Sequence, residues 1–185
     1  MGGMIHLLRG IHIMVPRNMT QAAGFYNFLM QIKQPAIVIE PLNSYRLKEK
    51  IPSNLGNYTT KPGEVEILTK GTDITVISYG STLKLVEEAS KKLLNNGISI
   101  EVIDIQTLIP FDINKNIFNS ITKTNNLLIV DEDVPGGASA YILQQLLEKQ
   151  KIFKHIKVFR KSENNTEINE HTDFPRPFWL YIRII

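Results

Sequence analysis

The feature that most constrains the fold is an alternation, after residue 73, of short apolar runs with amphipathic segments. Each run is far shorter than the roughly 20 residues that a membrane span needs. Strands that are apolar along nearly their whole length must be covered on both faces, so the alternation predicts a doubly wound, mostly parallel α/β sheet. The predicted strands are Ile74–Ser78, Ile98–Ile105, Leu127–Val130 and Ile156–Phe159.

Three helices are predicted between these strands because apolar residues recur there at helical spacing. The first helix is expected to end at Asn96–Gly97, since glycine often terminates helices, and Asp112 is expected to cap the second. The third is predicted over Ala138–Leu147. The apolar faces comprise Leu83, Val86, Ala89 and Leu93, then Ile113, Ile117 and Ile121, and then Ile142 and Leu146.

A hairpin is predicted at the start of this region. Glu64–Leu68 and Asp73–Ser78 flank the short, glycine-containing segment Thr69–Thr72. Two strands joined by so short a turn pair in an antiparallel manner. We therefore expect one antiparallel edge strand on the sheet.

Residues 1–40 contain a smaller unit. Ile11–Val15 and Ala36–Ile39 are predicted strands, and Asn18 or Thr20 is expected to cap the helix between them. This βαβ unit needs a larger sheet to join, and nothing before residue 11 supplies one. We therefore expect the chain to be truncated at its N-terminus, with the end of one α/β domain joined to a complete second domain.

The sequence thus divides into four segments. Residues 1–40 are the end of the first domain, and residues 41–63, rich in Pro, Gly, Asn and Ser, are a linker. Residues 64–160 are the complete domain, and residues 161–185 are an atypical tail. The apolar end of the tail, Phe178–Tyr181, is too short to span a membrane and is expected to dock on a neighbour or to remain exposed.

Composition excludes several classes of protein. The absence of cysteine excludes disulfides and thiolate metal sites and fits a reducing, cytoplasmic setting. The net charge is +3, with lysine and arginine concentrated between Lys149 and Lys161. Only Phe153 and Phe159 are aromatic among them, fewer than a base-stacking surface would require, which favours a solvated face over nucleic-acid binding. We expect neither a nucleic acid nor a membrane as a partner.

Two segments at strand ends are candidates for ligand binding. Ser78–Thr82 leads into a helix and either binds an anion at the helix N-terminus or caps that helix. Asp131, Glu132 and Asp133 either hold a magnesium ion or stabilise the next helix through its dipole. The adjacent Gly136–Gly137 permits an unusual turn.

Histidines are the remaining candidates for catalysis. His6, His12, His155 and His171 show no paired metal-ligand spacing, and no Ser-His-Asp set accompanies them. On residue type alone, each histidine is either a surface or packing residue, or a general acid–base catalyst.

Several blocks resemble, in family order, the beta subunits of thiamine-diphosphate-dependent 2-oxo-acid dehydrogenases. Val15–Asn18 and Pro35–Glu40, followed by Tyr45 and Arg46, resemble the end of the pyrimidine-binding domain. Gly71–Gly80 resembles the opening of the transketolase-type C-terminal domain. The most specific block is Val102–Asp112, with Asp104, Thr107, Pro110 and Asp112 at the family's spacing; Leu127–Glu132 with Gly136–Gly137 matches the next strand and turn. The resemblance covers residues 1–160.

The resemblance implies an activity and partners. A 2-oxo acid, either pyruvate or a branched-chain acid, is oxidatively decarboxylated on thiamine diphosphate held with magnesium, and the acyl group passes to lipoyl. The implied partners are an alpha subunit or a fused alpha half, a second beta subunit and the dihydrolipoyl acyltransferase core. The family's activating glutamate precedes the region matched here, so the 185-residue chain alone is not expected to bind the cofactor.

Resemblance also gives His6 a role, because the family has a channel histidine about ten residues before the Val-Pro strand end. In the family this histidine assists the lipoyl half-reaction. The following stretch, Leu7–Gly10, is one residue longer than in the family. Gln31–Gln34 lacks the aspartate with which many members bind potassium, and residues 162–185 differ from the family's final helix.

Two alternatives stay open beside this interpretation. The chain is a non-catalytic fragment that keeps only subunit assembly and docking of the acyltransferase core, or it belongs to another thiamine enzyme of the transketolase group.

Overall fold

The structure is a computed structural model that describes residues 1–133, 136–149, 156–160 and 178–184. It contains two sheets. A three-stranded sheet has the order β2–β1–β6, and a six-stranded sheet has the order β3–β5–β4–β7–β9–β8. The strands are β1 (His12–Met14), β2 (Ala36–Val38), β3 (Glu66–Thr69), β4 (Ile74–Ser78), β5 (Ile100–Asp104), β6 (Thr107–Ile109), β7 (Asn126–Asp131), β8 (Ile156–Arg160) and β9 (Phe178–Ile184).

Five α-helices accompany these strands in the described residues. A five-residue 3₁₀-helix, Leu42–Arg46, lies in the predicted linker, and a π-helical turn, Gln145–Lys149, continues the last α-helix. The α-helices are α1 (Gly2–Leu7), α2 (Met19–Leu29), α3 (Thr82–Leu94), α4 (Asn116–Thr124) and α5 (Ala138–Gln144).

The six-stranded sheet is doubly wound, as predicted. Its central strands β5, β4 and β7 are parallel, and neighbouring residues on each strand point to opposite faces. Ile77, Ile103 and Ile129 pack on one face with α4 and α5. Val76, Val102 and Val130 pack on the other face with α3. This two-sided burial is the reason that the predicted strands are apolar throughout.

The predicted hairpin is wrong, although the antiparallel edge strand exists. β3 pairs with β5, which lies between β3 and β4. Gly71 lies so close to the backbone of Ile100 and Glu101 that a Cβ atom would overlap it, and the amide of Asp73 donates to Ser99 O at 2.9 Å. The segment after β3 therefore crosses the end of β5 instead of turning back on β3.

The βαβ unit of residues 11–40 is confirmed and gains a strand that the sequence did not predict. β1 and β2 are parallel, and Asn18 caps α2 by accepting a hydrogen bond from the amide of Gln21 at 2.9 Å. β6 pairs with β1 in an antiparallel manner. The three-stranded sheet therefore contains strands from both sides of residues 41–63, and the division into independently folding segments stays a prediction.

Two further expectations need correction. Asp112 does cap α4, accepting from the amides of Asn116 and Ile117 at 2.9 Å, but α4 begins at Asn116, so Ile113 lies outside the helix and is exposed. The apolar end of the tail forms β9, which pairs antiparallel with both β7 and β8. Phe178–Tyr181 thus docks on strands of the same chain.

Candidate functional site

The carboxyl ends of strands from both sheets meet at a cavity of about 220 Å³. Val15 follows β1, Glu40 follows β2, Tyr79 follows β4 and Glu132 follows β7. Ligands of open α/β sheets bind at such strand ends. The remaining residues that line the cavity are Met1, Ile39, Pro41, Leu42, Gly80 and Ser81.

The turn after β7 is organised by a buried carboxylate. Asp131 is fully buried and accepts hydrogen bonds from the Tyr79 hydroxyl, the amide of Asp133 at 3.0 Å and the amide of Ser139 at 2.8 Å. Burial, and next the charge of Asp131, raise the pKa of Tyr79 far above its ordinary value, so the phenol stays protonated and donates. The turn is thereby tied to the sheet core.

Asp133 joins the starts of two helices. Its Oδ2 atom accepts from the amide of Gly2 at 2.8 Å, in α1, and from the amide of Ala138 at 3.1 Å, in α5. We call Gly2, Asp133 and Ala138 the Asp133 clamp. The contact with Ala138 confirms that the acidic turn stabilises the helix that follows it, whereas the contact with α1 was not predicted. Within the described residues no group of three or more His, Asp or Glu side chains could hold a metal ion.

His6 lies on the solvent side of α1, and the sequence prediction of its catalytic role stays a prediction. Its ring meets that of Tyr141 edge to face, with ring centroids 6.5 Å apart and planes at 80°. Its carbonyl oxygen accepts a hydrogen bond from the Arg9 guanidinium at 2.7 Å. His6 is exposed and is not among the residues that line the 220 Å³ cavity.

The hydroxyls of Ser78–Thr82 are engaged within the protein. Ser78 donates to the carbonyl of Val130 at 2.9 Å, and Thr82 donates to the carbonyl of Tyr79 at 2.7 Å. Ser81 occupies the N-cap position of α3 but makes no side-chain cap hydrogen bond. The predicted capping of α3 by this segment therefore has no side-chain hydrogen bond at the N-cap residue, and anion binding by the segment gains no support.

A polar cluster around the fully buried Asp104, which the sequence did not predict, joins residues 1–40 to the six-stranded sheet. We call Arg17, Gln21, Glu66, Asp104 and Gln106 the Arg17–Asp104 junction. The guanidinium of Arg17 donates to Asp104 at 2.6 Å and to Glu66 at 2.7 Å. Asp104 also accepts from the side chain of Gln21 at 3.0 Å and the amide of Gln106 at 2.9 Å.

Charge and backbone conformation both mark this junction. Burial lowers the pKa of Arg17, but hydrogen bonds and charges from Glu66 and Asp104 outweigh it and the pKa is raised, so Arg17 remains cationic. Burial raises the pKa of Asp104, an effect that Arg17 and Gln21 oppose. Gln106 has a φ of 61°, a conformation uncommon for a residue with a side chain. Arg17 and Asp104 both belong to the family-like blocks, which was the only sequence signal for their contact.

A second, more open groove of about 510 Å³ lies at the opposite end of the three-stranded sheet. It is lined by His12, Phe28, Ile32, Lys33, Gln34, Pro62 and Pro110. His12 contacts the side-chain oxygen of Gln34 at 2.5 Å through Nε2. His155 and His171 lie outside the described residues, as do the side chains of the basic segment Lys149–Lys161.

No helix in the part of the chain that the structure describes is both long and apolar enough to cross a membrane.

The fold and the residue blocks place the chain in a known family. Residues 63–162 match the family model "Transketolase, C-terminal domain", and the chain belongs to this family. The solved structure titled "Split gene transketolase, inactive beta4 tetramer" superposes with a TM-score of 0.62 at 23% identity, over 77% of this chain and 46% of that one. The α/β fold class is thereby confirmed.

The sequence relatives of the chain narrow the class of protein within this family. The chain is 30% identical over 176 residues to "Pyruvate dehydrogenase E1 component subunit beta" of Acholeplasma laidlawii, which covers 91% of this chain and 52% of the relative. It is 34% identical over 142 residues to "2-oxoisovalerate dehydrogenase subunit beta 2, mitochondrial" of Arabidopsis thaliana, over 76% of this chain and 39% of that one. The predicted resemblance to such beta subunits is confirmed, and the chain spans about half or less of their length.

Proposed function

We propose that the chain is the C-terminal part of a beta subunit in the decarboxylating component of a 2-oxo-acid dehydrogenase complex. One observation carries this proposal. The similarity to a pyruvate dehydrogenase beta subunit extends over 91% of the chain and is not confined to the transketolase-type domain at residues 63–162. It therefore reaches beyond that domain into the βαβ unit, which a generic domain of this family need not share.

In this proposal His6 acts as a proton donor in the lipoyl half-reaction. The carbon left by decarboxylation would supply the electron pair for a bond to one sulfur of the lipoyl dithiolane, while the sulfur–sulfur bond breaks and its electrons go to the other sulfur. The hydroxyl on that carbon would then lose its proton as the bond from the carbon to its carrier breaks, and the carrier would keep the electron pair of that bond. The second sulfur then takes a proton. An exposed imidazole is able to donate this proton, and general acid–base catalysis contributes roughly 10²- to 10⁴-fold in rate.

The described residues do not fit the diphosphate and magnesium of thiamine diphosphate. They offer no metal-ligating group of three side chains, and the carboxylates of Asp131 and Asp133 are committed to backbone amides. We propose that the cofactor binds in the full assembly, between this subunit and an alpha subunit. A calorimetric titration of the 185-residue chain with thiamine diphosphate and magnesium should show no micromolar binding. Micromolar affinity would contradict this.

We further propose a second beta subunit and the acyltransferase core as partners, and a cytoplasmic location. The test is to tag the reading frame at its own locus, purify the native assembly and measure decarboxylation with an artificial electron acceptor. Pyruvate and 3-methyl-2-oxobutanoate are the candidate substrates, and a ketose phosphate is the control.

Oxidation of either 2-oxo acid, abolished by removal of thiamine diphosphate, is the expected result. Turnover of the ketose phosphate instead would place the chain among other transketolase-group enzymes. A purified assembly that turns over none of the three substrates would favour a non-catalytic fragment that serves assembly and docking.

A further inference from the structure

We infer that Asp133 is the positioning residue for His6, and that it acts through the Asp133 clamp. The inference rests on the proposed function, in which His6 serves the lipoyl group. His6 lies in α1 (Gly2–Leu7), and the position of a short helical segment depends on its tertiary contacts. The position of His6 must therefore be set by whatever holds α1 in place.

The carboxylate of Asp133 supplies that contact. The first amides of a helix have no partner within the helix and carry the positive end of its dipole. One oxygen atom of Asp133 accepts from such amides in both α1 and α5, at 2.8 and 3.1 Å. The beginnings of the two helices are therefore fixed to the same atom.

Asp133 is itself held by the sheet. Its amide donates to Asp131 at 3.0 Å, and Asp131 is fully buried and bonded to the Tyr79 hydroxyl. A continuous path of hydrogen bonds therefore runs from the end of β4, through the turn after β7, to the beginning of α1.

Packing between α1 and α5 connects the Asp133 clamp to His6. A Cβ atom on Gly2 would lie 2.6 Å from the Cα atom of Gly137, so the two backbones are in direct contact. His6 lies four residues after Gly2, and Tyr141 lies four residues after Gly137, about one helical turn in each case. The edge-to-face contact of His6 and Tyr141 is thus the next turn of the same interface.

Two pairs of variants isolate this effect. Asp133→Ala removes the acceptor, whereas Asp133→Asn retains an oxygen that caps helices about as well. Gly2→Ala forces the helices apart, whereas Gly3→Ala is a matched control because no atom lies within 4 Å of its Cβ position. The first readout uses the 185-residue chain alone and measures nuclear Overhauser effects between the rings of His6 and Tyr141. The signals of the His6 ring are assigned by their absence in His6→Gln.

We expect these contacts to disappear in Asp133→Ala and Gly2→Ala and to persist in Asp133→Asn and Gly3→Ala. The unchanged dispersion of signals from the six-stranded sheet serves as the check that each variant folds. Persistence of the contacts in folded Asp133→Ala would overturn the inference, whatever the activity of the assembly.

The second readout uses the full assembly. Since a displacement of about 1 Å can lower a rate by about 10²-fold, acyl transfer to a lipoyl domain should fall roughly 10- to 100-fold in Asp133→Ala and Gly2→Ala. Decarboxylation with an artificial acceptor should be unchanged, and Asp133→Ala should cause no further loss when His6 is already alanine. A further loss in that background would overturn the inference. If the ring contacts disappear but acyl transfer is normal even in His6→Ala, the positioning stands and the catalytic role of His6 in the proposed function fails.

Discussion

Two polar contacts hold the N-terminal residues on the six-stranded sheet, and they differ in burial and in chemistry. The Arg17–Asp104 junction is formed mainly by side chains around a fully buried carboxylate, whereas the Asp133 clamp is partly buried and caps backbone amides. A buried charge that loses its partner destabilises the fold strongly, but a lost cap has a smaller effect. The first contact should therefore govern stability, and the second should govern the geometry of the site.

The largest predicted effect is on the stability of Asp104→Ala. Removal of this carboxylate leaves Arg17, Gln21 and the amide of Gln106 without their shared acceptor. We expect the free energy of unfolding to fall by about 3–5 kcal/mol. Urea denaturation followed by circular dichroism measures it.

Glu66→Ala is the matched control, because Glu66 bonds to the same guanidinium but its side chain is 45% exposed. Its loss should lower stability by at most about 1 kcal/mol. Equal effects of the two substitutions would show that burial does not distinguish the partners of Arg17.

A smaller effect is predicted for a pair that belongs to the six-stranded sheet alone. The buried Glu101 bonds to Lys123 and Ser120; burial raises its pKa, but these partners outweigh that effect and the pKa is lowered. A carboxylate with a lowered pKa stabilises the fold above its ordinary pKa, and this contribution is lost as the pH falls through the folded-state value. Lys123→Met should therefore cost about 1 kcal/mol at neutral pH.

The difference between wild type and Lys123→Met should shrink as the pH falls below the ordinary carboxyl value of 4.5. Urea titrations at neutral and acidic pH give this difference directly. A difference that is constant with pH would mean that Lys123 acts by packing and not through the charge of Glu101.

Limited proteolysis tests how firmly residues 1–40 are attached to the six-stranded sheet, without a measurement of the free energy of unfolding. The first cut should fall between Pro41 and Pro62, where the described chain has only turns and one 3₁₀-helix. Asp104→Ala should accelerate this cut more than Asp133→Ala does. An initial cut inside Ile98–Ile105, which contains the buried strand β5, would contradict the predicted division of the chain.

The doubly wound sheet could be predicted because each of its central strands has neighbours on both faces, and that requirement leaves an apolar run in the sequence. The position of β3 in the sheet could not be predicted, because a glycine-containing turn is equally compatible with a hairpin and with a crossing of β5. The close approach of Gly71 to the backbone of Ile100 determines that the chain crosses β5. This contact is long-range, and no local sequence pattern indicates it.

The contacts of the candidate site that are local in sequence could be predicted, and its long-range contacts could not. Acidic residues before a helix indicated a helix-stabilising turn, and Asp131 and Asp133 do accept amides of α5. The contact of Asp133 with Gly2 spans 131 residues, and that of Arg17 with Asp104 spans 87. Side chains that meet across such separations leave no periodic pattern, and only the family-like blocks indicated that these regions belong together.

The most direct test of the proposed function is to measure both half-reactions of His6→Ala in the assembled complex. Acyl transfer to a lipoyl domain should fall roughly 10²- to 10⁴-fold, while decarboxylation with an artificial acceptor remains at the wild-type rate. That result would place His6 at the lipoyl group. An equal fall in both half-reactions, or no fall in either, would contradict the account.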